Sequence, residues 1–210
     1  MQLNVDHDEN GCSDYSMCAI NPSKIPSRNE ASLRNLVERI GEQTSWLIEI
    51  VNFNIRDMQY ICAGENRALS LLTDLSNHLI GNRTAVSSLT DDALNSLIST
   101  LAATAEAKPK PLDYERGPAT VPLKQIDVPF HSSFLEKNIA SYRNFPRNMI
   151  QKGKVDVSKL VGKWIPNITG KPFGISKSDF EELENVTGSS RIGEVLARWE
   201  EFEIRRTTIV

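Results

Sequence analysis

The histidine at position 131 is the side chain of this sequence best suited to acid–base chemistry. It stands between the apolar run VPF and the segment SSFLEK, so we expect it on a loop between a strand and a helix, where functional groups are commonly displayed. A neutral imidazole accepts a proton from a hydroxyl or a thiol near pH 7. On spacing alone, however, a structural histidine that is hydrogen-bonded within the fold is the favoured interpretation.

A general base needs a nucleophile within hydrogen-bond reach, and the sequence does not place one beside His131. Ser132 and Ser133 are its neighbours in sequence, but adjacency does not supply the required geometry, and helix capping explains both residues better. The sequence contains no G-x-S-x-G pentapeptide, the motif that displays a nucleophilic serine. Cys62 lies in the apolar stretch QYICAG, which predicts a buried and inert thiol.

The remaining histidines and cysteines do not predict a metal site. His7, Cys12 and Cys18 could offer three ligands, but their spacing matches no standard zinc pattern and a fourth ligand is missing. We expect His7 and His78 on the surface, the first in an acidic segment and the second on the polar side of a helix. There is neither a P-loop nor a G-x-G-x-x-G motif, so no resident cofactor is predicted.

Composition and charge set the class of protein and its partners. The chain has 210 residues, of which 40% are hydrophobic and 24% charged, and a formal net charge of -3. These values are ordinary for a globular protein and argue against a nucleic acid or an anionic membrane as partner. No apolar run approaches the roughly 18 residues of a membrane span, and the acidic start lacks the features of a secretory signal. An odd number of cysteines, three, predicts free thiols and a cytoplasmic location.

The first 130 residues follow the order β-α-β-β-α-β. Apolar, β-branched segments predict strands or extended structure at 15–22, 46–54, 59–64 and 117–130. A capping box formed by Ser27 and Glu30 predicts the start of one helix. Apolar residues at intervals of three and four between 68 and 79 predict a second helix. This order is that of the ferredoxin-like fold, in which two helices cover one face of an antiparallel sheet.

RNA-recognition motifs share this order of elements, so RNA binding is an alternative function to consider. Such motifs carry stacking aromatic residues and basic residues on their central strands. Here the corresponding strands, YSMCAI and QYICAG, have one tyrosine each and no lysine or arginine, which does not favour RNA binding.

The rest of the chain departs from the ferredoxin-like plan. Residues 81–118 are interpreted as an insertion with a helix capped by Thr90 and Asp91, followed by the tract KPKPLDYERG. The C-terminal part is predicted to form too few elements to close a core, namely a helix at 132–150, a strand leading into a turn at 163–173, a helix from Phe180 and a helix at 189–204. We therefore divide the chain into a leader at 1–14, a ferredoxin-like subdomain at 15–128, and a part of a larger α/β layer at 129–210.

Several stretches together resemble one family. They are DYSMCAINP, WLIEIVNFN, QYICAGE, KPKPLDYERG, IDVPFHSSFL, GKWIPNITGKPF and the closing VTGSS with EVLARWEEFE. In this order and at this spacing, they resemble the malonyl/palmitoyl transferase domain at the C-terminal end of the β subunit of the fungal-type fatty acid synthase. The resemblance covers nearly the whole chain and extends equally to the related β subunits of specialised metabolism.

The resemblance implies a fold and a set of site residues. In this family a ferredoxin-like subdomain is inserted into a larger α/β-hydrolase-like acyltransferase core, to which residues 129–210 would belong. His131 in VPFHSS matches the catalytic histidine. Asn52 and Asn54 match a stretch at the cleft between the two parts, where they would line the path of the acyl or pantetheine chain. An interpretation of both asparagines as polar residues at a strand end is equally consistent with the sequence.

The resemblance also implies a reaction and partners. The family moves acyl groups from coenzyme A to a serine and then to the phosphopantetheine thiol of an acyl carrier protein. Its G-H-S-x-G serine and the arginine that binds the malonyl carboxylate lie upstream of the residues that match here. We therefore expect a chain that is inactive alone and that works with the remainder of the acyltransferase domain or β subunit, the N-terminus of the α subunit and acyl carrier protein. A non-catalytic ferredoxin-like interaction module is the alternative.

Overall fold

The computed structural model describes residues 5–9, 11–26, 29–109, 112, 114–149 and 156–207. The chain divides into two compact units, Met1–Arg143 and Asn144–Val210. The predicted division after residue 128 stays a prediction. In the described part of the chain, no helix is both long enough and apolar enough to span a membrane.

A four-stranded antiparallel sheet forms the centre of the first unit, within the described residues. Its strands, in chain order, are β1 (Tyr15–Ile20), β2 (Ile48–Ile55), β3 (Gln59–Glu65) and β4 (Thr120–Pro122). They lie side by side in the order β2-β3-β1-β4, so β2 and β4 are the edge strands. Cys18 is directly opposite Cys62 in the central pair, and β2 carries two irregularities in its pairing with β3. The predicted mixed α/β class is confirmed.

Three helices and the sheet enclose the main core of this unit. They are α1 (Glu30–Thr44), α2 (Asn66–Gly81) and α3 (Asp91–Glu106). The core contains Cys18, Ile20, Tyr60 and Cys62 from the sheet, together with apolar residues of all three helices. Because successive strand residues point to opposite faces, this core takes every second residue of β1 and β3.

The helix starts agree in part with the sequence prediction. Thr90 caps α3 as predicted, because its hydroxyl accepts a hydrogen bond from the Ala93 N–H. The capping residue of α1 is Asn29, whose side chain accepts from the Ser32 N–H. The predicted cap at Ser27 lies outside the described residues.

The opposite face of the sheet carries a second, smaller cluster. Met17, Ile61 and Ala63 are buried there. The chain that follows β4 covers this cluster through Leu123 and Ile126. The face that a two-layer domain would leave to solvent is therefore partly covered by the segment that leads to His131.

The described residues of the N-terminal segment contact the chain that follows β4. Val5 is buried, and Ser13 donates a hydrogen bond to the Asp127 carbonyl. His7 is hydrogen-bonded to the Asp127 carboxylate at 3.0 Å. A contact with a residue 120 positions away therefore joins this segment to the chain that follows β4.

The second unit is helical in its described residues. The chain leads into it through α4 (Ile139–Met149), and its further helices are α5 (Lys177–Thr187), α6 (Ser190–Ala197) and α7 (Trp199–Thr207). The strand part of the prediction for 163–173 is wrong, whereas the turn is present: the Phe173 N–H donates to the Trp164 carbonyl at 2.7 Å. The apolar residues that suggested a strand instead form aromatic contacts, because the rings of Trp164 and Phe173 lie 5.2 Å apart.

Candidate functional site

His131 is the third residue of a tight turn between the sheet and the next helix. The turn begins at Pro129, whose carbonyl accepts the Ser132 N–H at 3.3 Å. His131 has a φ of 66°, as the third position of a type II turn requires. Glycine adopts this conformation freely, whereas a residue with a Cβ does so at a cost.

The turn presents the histidine side chain to the outside. His131 is exposed, whereas Val128, Pro129 and Ser132 around it are buried. No hydrogen bond or ion pair joins its imidazole to any residue that the structure describes. The histidine hydrogen-bonded within the fold, favoured on spacing alone, is therefore not what the structure contains, and both ring nitrogens are accessible.

The side chains of the two serines after His131 stabilise the turn and do not cap a helix. Ser132 precedes a short 3-10 helix, Ser133–Asn138, but makes no side-chain capping bond. Its hydroxyl donates instead to the Pro129 carbonyl at 2.7 Å. The predicted capping role of Ser132 is therefore wrong, because its hydroxyl stabilises the turn instead of the start of the helix.

Glu49 connects this turn to the sheet. Its Oε2 accepts the Ser133 N–H at 2.9 Å, and its Oε1 accepts the Ser133 hydroxyl. Glu49 pairs with Ala63 across β2 and β3, and opposed residues share a face of the sheet. Its side chain therefore emerges on the face away from the helices, toward the His131 turn.

A pocket of about 820 Å³ opens beside the histidine. Glu49 and the 130–133 stretch form one side of it. The other lining side chains are mainly apolar, and they come from the residues that follow, Leu135, Glu136, Asn138, Ile139 and Tyr142. A base at the edge of an apolar pocket can act on a substrate whose chain is apolar and whose reacting group is polar.

Asn52 and Asn54 do not line this pocket. Asn52 is opposite Ile61, on the same sheet face as Glu49 but about 10 Å further along β2. Asn54 is exposed at the second irregularity of the strand pairing, between Phe53 and Ile55. The structure thus does not bring them to His131, and their substrate-binding role stays a prediction.

The other candidate groups lie apart from one another. Cys62 and Cys18 are fully buried, and burial raises the pKa of both thiols, that of Cys18 to about 12. Both therefore stay neutral and unreactive at ordinary pH, as predicted for Cys62. Cys12 is exposed, as are His7 and His78. The hydrogen bond that the His7 ring donates to the Asp127 carboxylate raises the pKa of His7.

Glu49 is the residue of this site that the sequence prediction missed. A single carboxylate stands among the apolar residues of WLIEIVNFN, and a charged group in such a strand is retained when it has a hydrogen-bonding partner. That signal indicates a partner for Glu49 but not its identity, because Ser133 lies 84 residues further along the chain.

Comparison with known proteins places the chain among acyltransferases. The family model described as "Acyl transferase domain" matches residues 2–190. The chain is 39% identical over 204 residues to the fatty acid synthase beta subunit TOXC of Cochliobolus carbonum. It is 38% identical over 212 residues to the fatty acid synthase subunit beta of Saccharomyces cerevisiae and 42% over 215 residues to that of Schizosaccharomyces pombe. Each alignment covers 97% of this chain but 10% of the relative.

Proposed function

The chain belongs to the acyl transferase domain family, and from this premise we propose that it supplies the general base of a malonyl/palmitoyl transferase in a fatty acid synthase of the fungal type. The observation that carries the proposal is the position of His131. It is exposed, held in a left-handed turn and located at the edge of an apolar pocket. A reactive imidazole needs this accessibility, whereas a structural histidine does not.

The proposed reaction has two half-steps that use the same imidazole. In the first, His131 removes the proton from a serine hydroxyl, the serine oxygen attacks the thioester carbonyl, and coenzyme A leaves as a thiol after receiving that proton. In the second, His131 takes the proton of a phosphopantetheine thiol, the sulfur attacks the acyl-serine carbonyl, and His131 returns the proton to the departing serine oxygen. No redox partner or metal ion takes part in these steps.

The attacking serine is proposed to come from another segment. The 210 residues contain no G-x-S-x-G pentapeptide, and the chain spans about 10% of the length of the relatives it matches. We propose that the rest of an acyltransferase domain provides the serine and the arginine that binds the malonyl carboxylate. The N-terminus of an α subunit would complete the fold, and an acyl carrier protein would receive the acyl group.

Residues 15–128 are proposed to be the ferredoxin-like subdomain of this acyltransferase, with residues 81–118 as its insertion. The strand order β2-β3-β1-β4 and the packing of α1 and α2 on one face support this assignment. Residues 129–210 would then belong to the acyltransferase core. On this proposal His131 comes directly after the point where the chain leaves the subdomain.

Complementation tests the function. The 210-residue chain is combined with the preceding segment of a fungal β-subunit acyltransferase domain, which carries the G-H-S-x-G serine, and transfer from radioactive malonyl-CoA to acyl carrier protein is measured. We expect no transfer and no covalent label with this chain alone, and transfer in the combined sample that His131→Ala lowers about 10²–10⁴-fold. Covalent labelling of the chain alone, or full activity of His131→Ala, would refute the proposal and favour a non-catalytic interaction module.

A further inference from the structure

The turn that carries His131 has few hydrogen bonds to the rest of the fold. The Ser132 N–H and hydroxyl both bond to the Pro129 carbonyl, and the Phe130 N–H bonds to the Val128 carbonyl at 2.8 Å. These bonds close the turn on itself. They do not fix its position relative to the sheet.

Glu49 provides a hydrogen-bonded link to the sheet, in addition to the contact between the rings of Phe134 and Tyr15 of β1, whose centroids lie 4.7 Å apart. In the part of the chain that the structure describes, the hydrogen bonds from residues 129–135 to the sheet are the two that Ser133 donates to the Glu49 carboxylate. Both carboxylate oxygens are used, one for the N–H and one for the hydroxyl. Bonds to a charged acceptor are roughly twice as strong as neutral ones, so the contact can hold the end of the turn in one place.

Because His131 is at positive φ, the contact between Glu49 and Ser133 affects where its imidazole points. A non-glycine residue at positive φ is held there only when the surrounding contacts over-determine its backbone. Ser133 follows His131 by two residues, so the Glu49 contact fixes the chain directly after the disfavoured residue. Without it, the turn could relax to negative φ, which would swing the imidazole away from the pocket.

We propose that Glu49 is a positioning residue for His131, which acts through Ser133 to keep the imidazole aimed at the pocket. The inference rests on the proposed function of His131. It differs from a direct electrostatic role, in which the negative charge of Glu49 would act on the imidazole through space. Ser133→Ala separates the two roles, because it removes one hydrogen bond of the contact and leaves the charge of Glu49 in place. Glu136 serves as a control for the conformation of the turn, because it is exposed and its carboxylate makes no hydrogen bond among the described residues.

The first measurement uses the 210-residue chain alone and needs no activity. Backbone ¹³Cα and ¹³Cβ shifts of His131 report the left-handed conformation, and hydrogen exchange of the Ser133 amide reports its hydrogen bond. We expect Glu49→Gln and Ser133→Ala to move the His131 shifts toward negative φ. We also expect Glu49→Gln to speed exchange of the Ser133 amide on the order of tenfold. Glu136→Gln should leave both unchanged. Unchanged His131 shifts in Glu49→Gln would overturn the inference.

The second measurement uses the combined sample described above. We expect Glu49→Ala to lower kcat about 10²-fold, since a misplacement of about 1 Å has that effect, with KM for the acyl-CoA nearly unchanged. Glu49→Gln and Ser133→Ala should lower kcat less, since each variant keeps one of the two hydrogen bonds between positions 49 and 133. Glu38→Gln, which removes an exposed carboxylate of α1 that does not line this pocket, should leave kcat unchanged.

The outcomes distinguish the two proposals. If His131→Ala is active, the proposed function fails, whatever Glu49 does. If His131→Ala is inactive and Glu49→Ala is fully active, the function stands and the positioning role is wrong. A loss of kcat in Glu49→Gln without any loss in Ser133→Ala would also overturn it, since the charge of Glu49 rather than its contact with Ser133 would then be responsible.

Discussion

At the scale of single residues, the main feature is a histidine in a position that favours glycine. His131 is one of five non-glycine residues at positive φ among those the structure describes, with Ser45, Asp57, Arg83 and Gln125. Histidine enters this region more readily than most residues do, though still at a cost. A side chain kept at such a position despite that cost is consistent with use of its chemistry.

Two substitutions at position 131 test the turn itself. We expect His131→Gly to raise the free energy of unfolding relative to His131→Ala by about 1 kcal/mol, because glycine alone adopts a φ of 66° without a Cβ clash. Urea unfolding followed by circular dichroism measures the difference. Equal stability of the two variants, or a more stable alanine variant, would show that the residue is not left-handed in solution.

At the scale of elements, a hydrogen-bonded network joins the start of α1 to the β2–β3 hairpin. The Glu30 carboxylate accepts the hydroxyl of the buried Tyr60 at 2.8 Å and the Arg34 guanidinium at 2.8 Å. The Glu30 N–H donates to the Asp57 carboxylate at 2.7 Å. The hydrogen bonds from Arg34 and then Tyr60 hold the pKa of Glu30 below its ordinary value of 4.5.

This network predicts a dependence of stability on pH. A carboxylate whose pKa is lower in the folded state stabilises the fold above its unfolded pKa and loses that contribution as pH falls through the folded value. We therefore expect Glu30→Gln to be less stable than the wild-type chain at pH 7, by a difference that shrinks below about pH 4.5. Urea midpoints over this range measure it.

Glu38→Gln is the matched control for Glu30→Gln. It removes an exposed carboxylate from the same helix, and its stability difference should be small at every pH. A Glu30→Gln difference that is constant across the range would contradict the assignment.

The close approach of β2 to β3 requires a glycine. A Cβ on Gly64 would lie 2.1 Å from the Leu47 carbonyl oxygen and 2.9 Å from the Ile48 Cα. Because both atoms belong to the backbone, β2 itself would have to move. We expect Gly64→Ala to lower the free energy of unfolding by about 2–3 kcal/mol.

Gly81 serves as the control for that substitution. It is the last residue of α2, and a Cβ there would meet no atom within 4 Å. Gly81→Ala should change the stability by less than about 1 kcal/mol, toward a more stable protein. Urea unfolding of both variants gives the comparison, and similar effects at the two sites would contradict the strand geometry.

The elements of the first unit were predictable because their patterns are local. The apolar periodicity of α2 and the β-branched runs of β2 and β3 lie within single stretches of sequence. The strand part of the prediction for 163–173 is wrong because Trp164, Ile165 and Phe173 satisfy the composition of a strand, while no neighbouring strand among the described residues pairs with them. The composition of a segment does not indicate whether a neighbouring strand is present to pair with it.

Only the part of the site that lies within one short stretch of sequence could be predicted. The types and order of residues in VPFHSS indicated His131. The left-handed turn could not be inferred from the sequence. A glycine can indicate a residue at positive φ, whereas a histidine does not. The Glu49–Ser133 contact spans 84 residues, so it depends on which face of β2 the 123–134 segment covers, a property of the tertiary fold.

At the scale of the whole molecule, the second unit leaves large apolar side chains in contact with water. Trp164, Ile165, Ile168 and Val186 are each about half exposed, at 49%, 57%, 52% and 55%. Clusters of such residues on a protein surface are usually covered by a partner. This exposure agrees with a chain that spans about 10% of its relatives and would find the rest of a domain beside it.

We therefore expect the isolated chain to associate as its concentration rises, because exposed apolar surface is removed from water when two copies meet. Sedimentation velocity over a wide range of concentration measures the association. Replacing Ile165 and Ile168 together with serine should weaken it. Ile55→Ser, which removes a side chain of the same size and 51% exposure from the β2–β3 hairpin, should leave it unchanged. A monodisperse monomer at high concentration, or equal effects of the two replacements, would show that the 164–168 surface is not one that requires a partner.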